Sequence, residues 1–361
     1  MTTYLLAGGG TAGHVNPLLA LADEIKLQEP EATVIALGTS EGLESRLVPA
    51  RGYELVTVAR LPFPRRLNAY ALTFPRAYLA AVRELRALIR DRGVDVVVGF
   101  GGYASAPAYD AARAERVPYV IHEANALPGM ANRRGAKNAD AVAVAYPGTP
   151  LPKAKLVGMP LRSEIQKLLA GFSRAEAREF FGLDPQTPTL LVTGGSLGAK
   201  RINDAVEASR KVLAAAGVQV LHIVGERSEL AEVHEDLYRR IRYCDRMDLA
   251  IASADAAIAR AGAATVSEFS AVGLPAIYVP YPVGNGEQAL NAKAAVDAEA
   301  ALMVRDADFN ADYISRVVVP LLSNTAQLAT MQAATSLVAI GDGTQRLYRE
   351  VQSVVKLRDN S

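Results

Sequence analysis

Residues 4–14 read Tyr4-Leu5-Leu6-Ala7-Gly8-Gly9-Gly10-Thr11-Ala12-Gly13-His14, a short apolar strand that runs into a glycine-rich turn. The second half has a comparable stretch, Thr189-Leu190-Leu191-Val192-Thr193-Gly194-Gly195-Ser196-Leu197-Gly198-Ala199. Residues without side chains let backbone N–H groups and a helix N-terminus approach an anion, so each turn is a candidate diphosphate site. Two such turns in two similar halves predict a pair of α/β domains that face one another across a cleft.

Short β-branched runs alternate with helical stretches along the chain, which is typical of parallel sheets covered by helices on both faces. We predict strands at residues 3–8, 33–38, 54–58, 94–99, 118–122, 140–145, 189–193, 218–224, 255–259 and 276–280. We expect the first helix to begin near Asn16, with Pro17 in its first turn. In the second half we predict helices at 199–215, 228–237, 246–253, 263–272 and 287–297.

A stretch rich in Pro, Gly and Lys interrupts this alternation at residues 147–172 and predicts a domain junction there. We expect an N-terminal domain at 1–160, a C-terminal domain at 161–340, and a last helix within 341–361 that packs back on the first domain. Ligands of open parallel sheets bind at the carboxyl ends of the strands, where both glycine turns lie.

Composition excludes several classes of protein. The chain has 361 residues, half of them hydrophobic, and a net charge of +1, which is not the balance of a nucleic-acid-binding protein. The single cysteine, Cys244, excludes a disulfide framework and a thiolate metal site. No apolar run is long enough to span a membrane, and no basic, cleavable signal segment precedes the first strand, so we expect a location on the cytoplasmic side.

The first turn fits the glycine spacing of a dinucleotide site, with Gly8, Gly10 and Gly13. However, the second predicted strand ends at Gly38-Thr39, without the carboxylate that binds the ribose of a nicotinamide dinucleotide, and no phosphate-binding lysine of the P-loop kind is present. The sequence therefore argues against a dehydrogenase.

Two polar groups in the first half are candidates for chemistry. His14 follows the last glycine of the first turn, where it is either a general base or a helix-start histidine bonded to the backbone. His122 and Glu123 end a buried strand, where they either line a cleft or form an internal hydrogen-bond network. They are adjacent and lack a third partner, so we expect no metal site there.

In the second half, Arg260 begins a turn of small residues that opens a helix, and such a helix N-terminus is suited to a phosphate. Glu268 lies further along this helix and either accepts from the two hydroxyls of a ribose or is a solvated surface residue. Gln288, at the start of the next helix, either binds sugar hydroxyls or belongs to a capped surface helix.

Seven motifs together resemble the MurG family, the peptidoglycan N-acetylglucosaminyltransferases of bacteria. They are G-G-G-T-A-G-H at 8–14, G-G-Y at 101–103, H-E-x-N at 122–125, G-x-P-x-R at 158–162, G-G-S-x-G-A at 194–199, R-x-G-A-x-T-x-S-E at 260–268 and E-Q-x-x-N-A at 287–292. The resemblance runs in order from residue 4 to about residue 340. The chain differs from the usual family pattern at Ala124, Ala259 and Glu287.

The resemblance implies a GT-B fold, with two Rossmann-like domains around an interdomain cleft. It implies an inverting transfer of GlcNAc from UDP-GlcNAc to the 4-hydroxyl of MurNAc in the undecaprenyl-linked acceptor lipid I, which yields lipid II for the cell wall. His14 is then the candidate base. The implied binding residues are Thr11, Ala12 and Gly13 for the acceptor diphosphate, Asn125 for the acceptor, and Arg162, Ser196, Cys244, Arg260, Ala263, Ala264, Glu268 and Gln288 for the donor.

Several alternatives stay open at this stage. Glu123 or a water molecule is an alternative base, and a UDP-GlcNAc 2-epimerase, a glycosyltransferase with another acceptor and a non-catalytic nucleotide-binding scaffold are alternative functions. No Asp-x-Asp motif of the metal–diphosphate kind follows a predicted strand, so we expect no metal ion and no cofactor. Partners among the cell-wall synthesis proteins are expected, and none is identified by the sequence.

Residues 60–78 mix apolar, aromatic and basic side chains. Eight arginines lie between residues 60 and 92, at positions 60, 65, 66, 76, 83, 86, 90 and 92. This pattern is typical of a surface that rests on anionic lipid and equally of a helix with one buried and one solvated face. A lipid-linked substrate favours the first alternative, with peripheral attachment to the cytoplasmic face of the cell membrane.

Overall fold

The computed structural model describes residues 1–64 and 68–359, with side chains as far as Leu357. The chain divides into two compact units. The first consists of residues 1–163 together with the chain from Asp342 onward, and the second consists of Glu164–Gly341. The final helix therefore belongs to the first unit, although the chain reaches it only after completing the second.

The first unit is built on a parallel sheet of seven strands. The strands are β1 Thr3–Ala7, β2 Thr33–Gly38, β3 Glu54–Thr57, β4 Val96–Gly99, β5 Tyr119–Glu123, β6 Ala141–Val144 and β7 Ala154–Leu156. Their order across the sheet is β3-β2-β1-β4-β5-β6-β7. The order reverses between β1 and β4, and such a reversal opens a crevice at the carboxyl ends of the two strands.

Helices cover both faces of this sheet. They are α1 Ala12–Gln28, α2 Glu44–Ala50, α3 Ala69–Asp91, α4 Ser105–Ala114 and α5 Met130–Gly135, with the final helix at Gly343–Asp359. Side chains alternate between the faces along each strand. Tyr4 and Leu6 of β1 join the core under α1 and the final helix, whereas Leu5 and Ala7 join the core under α3 and α4.

The final helix is fixed to the first unit by apolar and polar contacts. Leu347 and Val351 are fully buried in the core that α1 covers. The Glu29 carboxylate accepts hydrogen bonds from Tyr4 (2.7 Å), Tyr348 (2.8 Å) and Gln352 (2.6 Å). The Glu29 carboxylate, at the end of α1, is therefore one half-buried acceptor shared by the first strand and the last helix.

The second unit has its own seven-stranded sheet. The strands are β8 Thr189–Thr193, β9 Gln219–Ile223, β10 Val233–Glu235, β11 Tyr238–Ile241, β12 Ala256–Ala259, β13 Ala276–Tyr278 and β14 Ala301–Met303. The order is β10-β11-β9-β8-β12-β13-β14, and the β10–β11 pair is the antiparallel one. Here the order reverses between β8 and β12.

The helices of the second unit follow the same alternation. They are α6 Ser163–Leu169, α7 Arg174–Phe180, α8 Lys200–Ala208, α9 Arg210–Ala215, α10 Met247–Ser253, α11 Ala263–Val272, α12 Glu287–Asp297, α13 Ala311–Tyr313, α14 Val319–Ser323 and α15 Thr325–Thr335. A 3-10 turn at Asp306–Asp308 and a π-helical segment at Ile314–Val318 complete the unit, and the final helix of the first unit is α16.

Three predictions about local structure are wrong. The first helix begins at Ala12, and Pro17 lies inside it, because the Thr11 carbonyl accepts from both His14 (3.0 Å) and Val15 (3.1 Å) and so starts the helix directly after the turn. Residues 228–237 are not helical, since β10 pairs with β11 and tertiary pairing overrides local propensity. The helix predicted at 199–215 is interrupted at Ser209, whose hydroxyl donates to the Ala205 carbonyl (2.8 Å).

Helix α3 is the longest helix of the first unit and carries most of the basic-apolar stretch. Asn68 caps it by accepting from the Ala71 amide (3.0 Å). Arg65 and Arg66, which belong to that stretch, lie outside the described residues. Within residues 1–64 and 68–359, no helix is long and apolar enough to cross a membrane.

We expect Leu347→Ala to lower the free energy of unfolding of the first unit by about 2–5 kcal/mol, because it leaves a cavity in a fully buried position. Urea denaturation measures this change. Leu357→Ala, on the same helix at a position that is 69% exposed, is the matched control, with an expected change within about 0.5 kcal/mol. Equal effects of the two variants would contradict the packing of α16 described above.

Candidate active site

Each unit presents its glycine-rich turn where its strand order reverses. In the first unit the turn after β1 lies beside the Gly101–Gly102 turn after β4. In the second unit the turn after β8 lies beside the Arg260–Gly262 turn after β12. Both turns therefore occupy the position at which open parallel sheets bind their ligands.

The first turn leads directly into α1. Thr11 is the N-cap residue and has an extended backbone, and its side chain makes no capping hydrogen bond. Ala12 and Gly13 are the first two helical residues, whose N–H groups have no acceptor within the helix. These amides and the positive end of the helix dipole suit an anion, as predicted for Thr11, Ala12 and Gly13.

His14 is half-buried and bonded to the backbone of the turn. Its Nδ1 atom lies 3.0 Å from the Gly9 carbonyl oxygen and 3.3 Å from the Thr11 hydroxyl. A carbonyl oxygen only accepts, so Nδ1 carries the hydrogen, and in the neutral ring Nε2 is then the acceptor. The backbone-bonded alternative and the general-base alternative are therefore compatible, because they use different nitrogens.

Two glycines after β4 make room for this arrangement. A side chain at Gly102 would place its Cβ 2.5 Å from the Gly9 carbonyl oxygen, and one at Gly101 would place its Cβ 3.1 Å from Nε2 of His14. Both glycines have positive φ angles, +94° at Gly101 and +83° at Gly102. The Ser105 hydroxyl, 2.9 Å from the Ala7 carbonyl, ties this turn to the end of β1.

Glu123 is the centre of an internal hydrogen-bond network. Its buried carboxylate accepts from the backbone amides of Asn125 (2.9 Å) and Gly129 (3.0 Å) and from the side chain of Asn132 (2.9 Å). Asn125 also donates from its side chain (3.3 Å). With its oxygens occupied by the loop, Glu123 shapes the loop after β5, and this geometry disfavours it as a base.

His122 is fully buried and linked to the end of the first unit. Its Nε2 atom lies 3.0 Å from the Gly158 carbonyl oxygen, and its Nδ1 atom is buried without a hydrogen-bond partner. Burial lowers the pKa of His122 to about 4, although the bond to Gly158 opposes this shift. The ring is therefore neutral near pH 7 and anchors the segment that leads towards Arg162.

The second glycine turn is closed by backbone contacts with the turn after β9. A side chain at Gly198 would collide with the Val224 carbonyl oxygen, and one at Gly225 would collide with the backbone of Gly198. The Ser196 carbonyl accepts from the Glu226 amide (2.9 Å). Ser196 itself is half-buried in the exposed part of the turn, where its amide and hydroxyl suit a phosphate.

Arg260 is held by the strand ends around it. Its guanidinium donates to the Val279 carbonyl (3.0 Å) and pairs with Asp306 (2.6 Å), and it lies over the Tyr281 ring. Asp306 also pairs with Arg201 (3.1 Å), which follows the glycine turn. Gly198, Arg260 and Asp306 line one groove of about 660 Å³, so the end of the glycine turn and Arg260 border the same groove.

The expectation that no Asp-x-Asp sequence follows a strand needs a correction. Asp306-Ala307-Asp308 is an Asp-x-Asp sequence just after β14, a strand that the sequence pattern did not reveal. Asp306 is paired with two arginines and Asp308 with Arg305 (2.6 Å), so these carboxylates are engaged in ion pairs. Among the described residues, no group of three or more His, Cys, Asp and Glu side chains is arranged to hold a metal ion.

The remaining donor residues lie on neighbouring elements of the second unit. Ala263 and Ala264 begin α11, and Glu268 in its second turn is buried, which contradicts the solvated alternative. Gln288 in α12 accepts from the Tyr281 amide (2.9 Å) beside Arg260. Cys244 is buried in the loop after β11, two strands away from β8.

Two predicted residues lie elsewhere in the first unit. Asn125 is in the loop after β5, beside Glu123, and Arg162 is at the end of the unit, just before α6. Sequence reasoning missed Glu44, Asn132 and Asp306, each of which fixes a loop of the site through a buried or paired side chain. The glycines around Glu44 were a usable signal, since they keep its surroundings clear.

Comparison with known proteins places this geometry in context. Residues 4–144 match the glycosyltransferase family 28 N-terminal domain and residues 189–347 match the family 28 C-terminal domain. The chain is 56% identical to a protein of Clavibacter sepedonicus, over 99% of this chain and 98% of the relative. It is also 56% identical to one of Leifsonia xyli subsp. xyli, over 98% and 99%. Both are named UDP-N-acetylglucosamine--N-acetylmuramyl-(pentapeptide) pyrophosphoryl-undecaprenol N-acetylglucosamine transferase.

A solved structure is similar along the whole chain. The crystal structure of Acinetobacter baumannii MurG has a TM-score of 0.78 and 26% sequence identity, and the match covers 98% of this chain and 100% of that one. The order of motifs and the order of elements therefore agree with one and the same family.

We expect the free energy of unfolding to fall as the pH falls from 6.5 towards 4, in part through His122. An exposed histidine in the unfolded chain has a pKa near 6.5, whereas that of His122 in the folded protein is about 4. In this window the unfolded chain binds a proton that the folded chain does not, which costs about 3 kcal/mol at pH 4. Urea denaturation at several pH values measures the slope.

His122→Gln keeps a donor for the Gly158 carbonyl but does not titrate, so its unfolding free energy should fall less steeply over this window. His234→Gln, at an exposed histidine, is the control and should retain the slope of the unaltered protein. A His122→Gln slope equal to that of the unaltered protein would show that His122 is not held neutral.

Proposed function

Because the chain belongs to glycosyltransferase family 28, and within it to the MurG N-acetylglucosaminyltransferases, we propose that it transfers GlcNAc from UDP-GlcNAc to the 4-hydroxyl of MurNAc in lipid I. The product is lipid II, the lipid-linked precursor of peptidoglycan. The observation that carries the proposal is the contact of Nδ1 of His14 with the Gly9 carbonyl, beside a helix N-terminus, which leaves Nε2 as the acceptor of the neutral ring. The other unit has a second glycine turn, which suits a diphosphate.

The reaction is a single displacement at the anomeric carbon. The 4-hydroxyl oxygen of the acceptor forms the new glycosidic bond while the bond from the anomeric carbon to the diphosphate breaks, and its electrons leave with UDP. Nε2 of His14 takes the hydroxyl proton as the bond forms, because Nδ1 is already a donor to Gly9. Attack opposite the leaving group inverts the anomeric centre.

The second unit stabilises the departing UDP. The turn at Ser196 and the amides at the start of α11, at Ala263 and Ala264, are assigned to the diphosphate. Arg260 adds positive charge at the same strand ends, and its pairing with Asp306 fixes its position before the substrate arrives. Electrostatic stabilisation by groups already in place costs no reorganisation during the reaction.

The other assignments follow the chemistry of each group. The buried Glu268 carboxylate is an acceptor and suits the two ribose hydroxyls, and the backbone at Cys244 suits the edge of the uracil. Gln288 is assigned to the GlcNAc hydroxyls and Arg162 to the donor. In the first unit Asn125 contacts the acceptor sugar, and the turn from Thr11 to Gly13 binds the acceptor diphosphate.

We also assign the membrane contact to α3. Leu72, Arg76, Leu79 and Arg83 follow one another at intervals of four, three and four residues, so they share one face of the helix. All four are exposed, Leu72 at 82% and Leu79 at 62%. Leucines that enter the headgroup region and arginines that meet anionic lipid together suit a peripheral protein on the inner leaflet.

We expect His14→Ala to lower kcat by about 10²–10⁴-fold while UDP affinity stays unchanged, because the variant loses the base but keeps the donor site. The assay measures UDP release that depends on a short-chain lipid I analogue, and calorimetry measures UDP binding. His234→Ala, at an exposed histidine, is the control and should retain turnover. Near-normal turnover of His14→Ala would exclude His14 as the base.

We expect Arg76→Glu to weaken binding to vesicles that contain anionic lipid by at least about fivefold, since each basic residue near such a surface contributes about 1 kcal/mol. Cosedimentation with vesicles at low salt measures the change. The effect should shrink as salt is added and should be absent with neutral vesicles.

Lys211→Glu makes the same change of charge at an exposed helical position of the second unit. It is the matched control and should bind anionic vesicles as the unaltered protein does. Equal losses from Arg76→Glu and Lys211→Glu would attribute the binding to net charge alone and contradict a contact through α3.

A further inference from the structure

A buried carboxylate lies behind the turn that holds His14. Glu44, the first residue of α2, is 1% exposed. One carboxylate oxygen accepts from the Gly10 amide (2.8 Å), and the other accepts from the Thr39 amide and hydroxyl (2.8 Å each). Burial raises the pKa of this carboxyl, but the hydrogen bonds lower it by more, so the pKa lies below its ordinary value. Glu44 is therefore ionised.

Three glycines leave room for this carboxylate. A Cβ atom at Gly9, Gly38 or Gly42 would collide with the Glu44 side chain. The end of β2 and the loop before α2 thus carry no side chains where the carboxylate passes towards the turn. The end of β2 lacks the carboxylate that binds a ribose in dinucleotide-binding proteins. Instead, the carboxylate of Glu44, six residues after β2 ends, bonds to the glycine turn from the side away from His14's ring.

Glu44 and His14 bond to opposite ends of one peptide group. The Gly10 N–H and the Gly9 C=O belong to the same peptide bond, so its N–H donates to Glu44 while its C=O accepts from Nδ1 of His14 (3.0 Å). Hydrogen bonds in such a chain polarise one another. The negative charge of Glu44 makes the Gly9 oxygen a stronger acceptor than an isolated carbonyl.

We propose that Glu44 is a positioning residue for the transfer reaction, which holds His14 in the tautomer with a free Nε2 through the Gly9–Gly10 peptide group. The inference rests on the proposed role of His14 as the base. When Nε2 takes the acceptor proton, the positive ring is stabilised by the polarised carbonyl, and no proton leaves Nδ1 or reaches Glu44. The arrangement has the logic of a base oriented by a third group, with a peptide inserted between the two side chains.

Other polar groups near His14 do not perform this function. The Thr11 hydroxyl is 3.3 Å from Nδ1 and is neutral. The Glu123 carboxylate is engaged by Asn125, Gly129 and Asn132 of its own loop. Among the described residues, Glu44 is the charged group that hydrogen bonds connect to Nδ1 of His14, through the Gly9–Gly10 peptide group.

The test compares Glu44→Gln with the unaltered full-length protein by ¹⁵N NMR of labelled histidine side chains, at a pH where the ring is neutral. The chain has four histidines, and the signals missing from His14→Ala assign those of His14. We expect the unaltered protein to show hydrogen on Nδ1 and none on Nε2. In Glu44→Gln a second population with hydrogen on Nε2 should appear. We expect kcat to fall by about tenfold with donor KM unchanged, because the Gly10 amide then bonds to a neutral acceptor in place of a charged one.

Glu41→Gln is the matched control. It removes a carboxylate from the same loop, one that is 63% exposed and pairs with Arg60 (3.2 Å), and it should alter neither the His14 tautomer nor kcat. If Glu44→Gln does not fold, Glu44→Asp withdraws the carboxylate while keeping its charge, and its tautomer population should lie between those of the other two proteins.

An unchanged tautomer in a folded Glu44 variant would overturn the proposal, whatever its activity. A changed tautomer with unchanged kcat would also overturn it, because the coupling would then have no catalytic consequence. Failure of the proposed function is a separate result, since an unaltered protein without acceptor-dependent UDP release would lack the activity itself, while the NMR comparison would still report on the Glu44–His14 coupling.

Discussion

Direct contact between the backbone of each glycine-rich turn and that of a neighbouring turn is the constraint on which the rest of this structure depends. In the first unit the Gly102 backbone lies against the Gly9 carbonyl, and in the second the Gly198 backbone lies against Val224. Any side chain at these positions would separate the turns and remove the helix N-termini from the strand ends. The site is therefore built chiefly from main-chain groups, and the side chains that matter are those that hold these groups in place.

Much of the fold was predictable because its main signals are local. Strands β1, β2 and β8 and helices α11 and α12 lie where hydrophobic runs and turn residues indicated. Strands β7, β10, β11 and β14 have three or four residues each and were missed, because they carry polar side chains or lie outside any longer apolar run and depend on their neighbours for pairing. Strand β13 is equally short but was predicted, since it lies within the apolar run at 276–280. The start of α1 was predicted too late because a proline such as Pro17 is typical of the first turn of a helix. The hydrogen bonds to the Thr11 carbonyl, which start the helix, have no signature in the sequence.

The candidate site divides in the same way. Motifs indicated the residues that the proposed function assigns to substrate contacts, such as His14 and Ser196. No motif included Glu44, Asn132 or Asp306, because the hydrogen bonds and ion pairs of these residues join separate parts of the chain. Asp306, for example, pairs with Arg260 and Arg201. Interactions between elements become visible only once the topology brings the strand ends together.

The two glycine turns differ in the charged groups that lie beside them. In the first, the Gly10 amide is bound to an ionised carboxylate, so a fixed negative charge lies behind the histidine. In the second, the Gly195 amide meets the neutral Thr193 hydroxyl (3.2 Å), and Arg260 lies at the adjacent strand end. In the proposed reaction, a negative charge favours the His14 ring as it becomes positive, and the positive charge of Arg260 favours the departing diphosphate. Under this proposal, one glycine turn serves proton removal in the first unit and the other serves leaving-group stabilisation in the second.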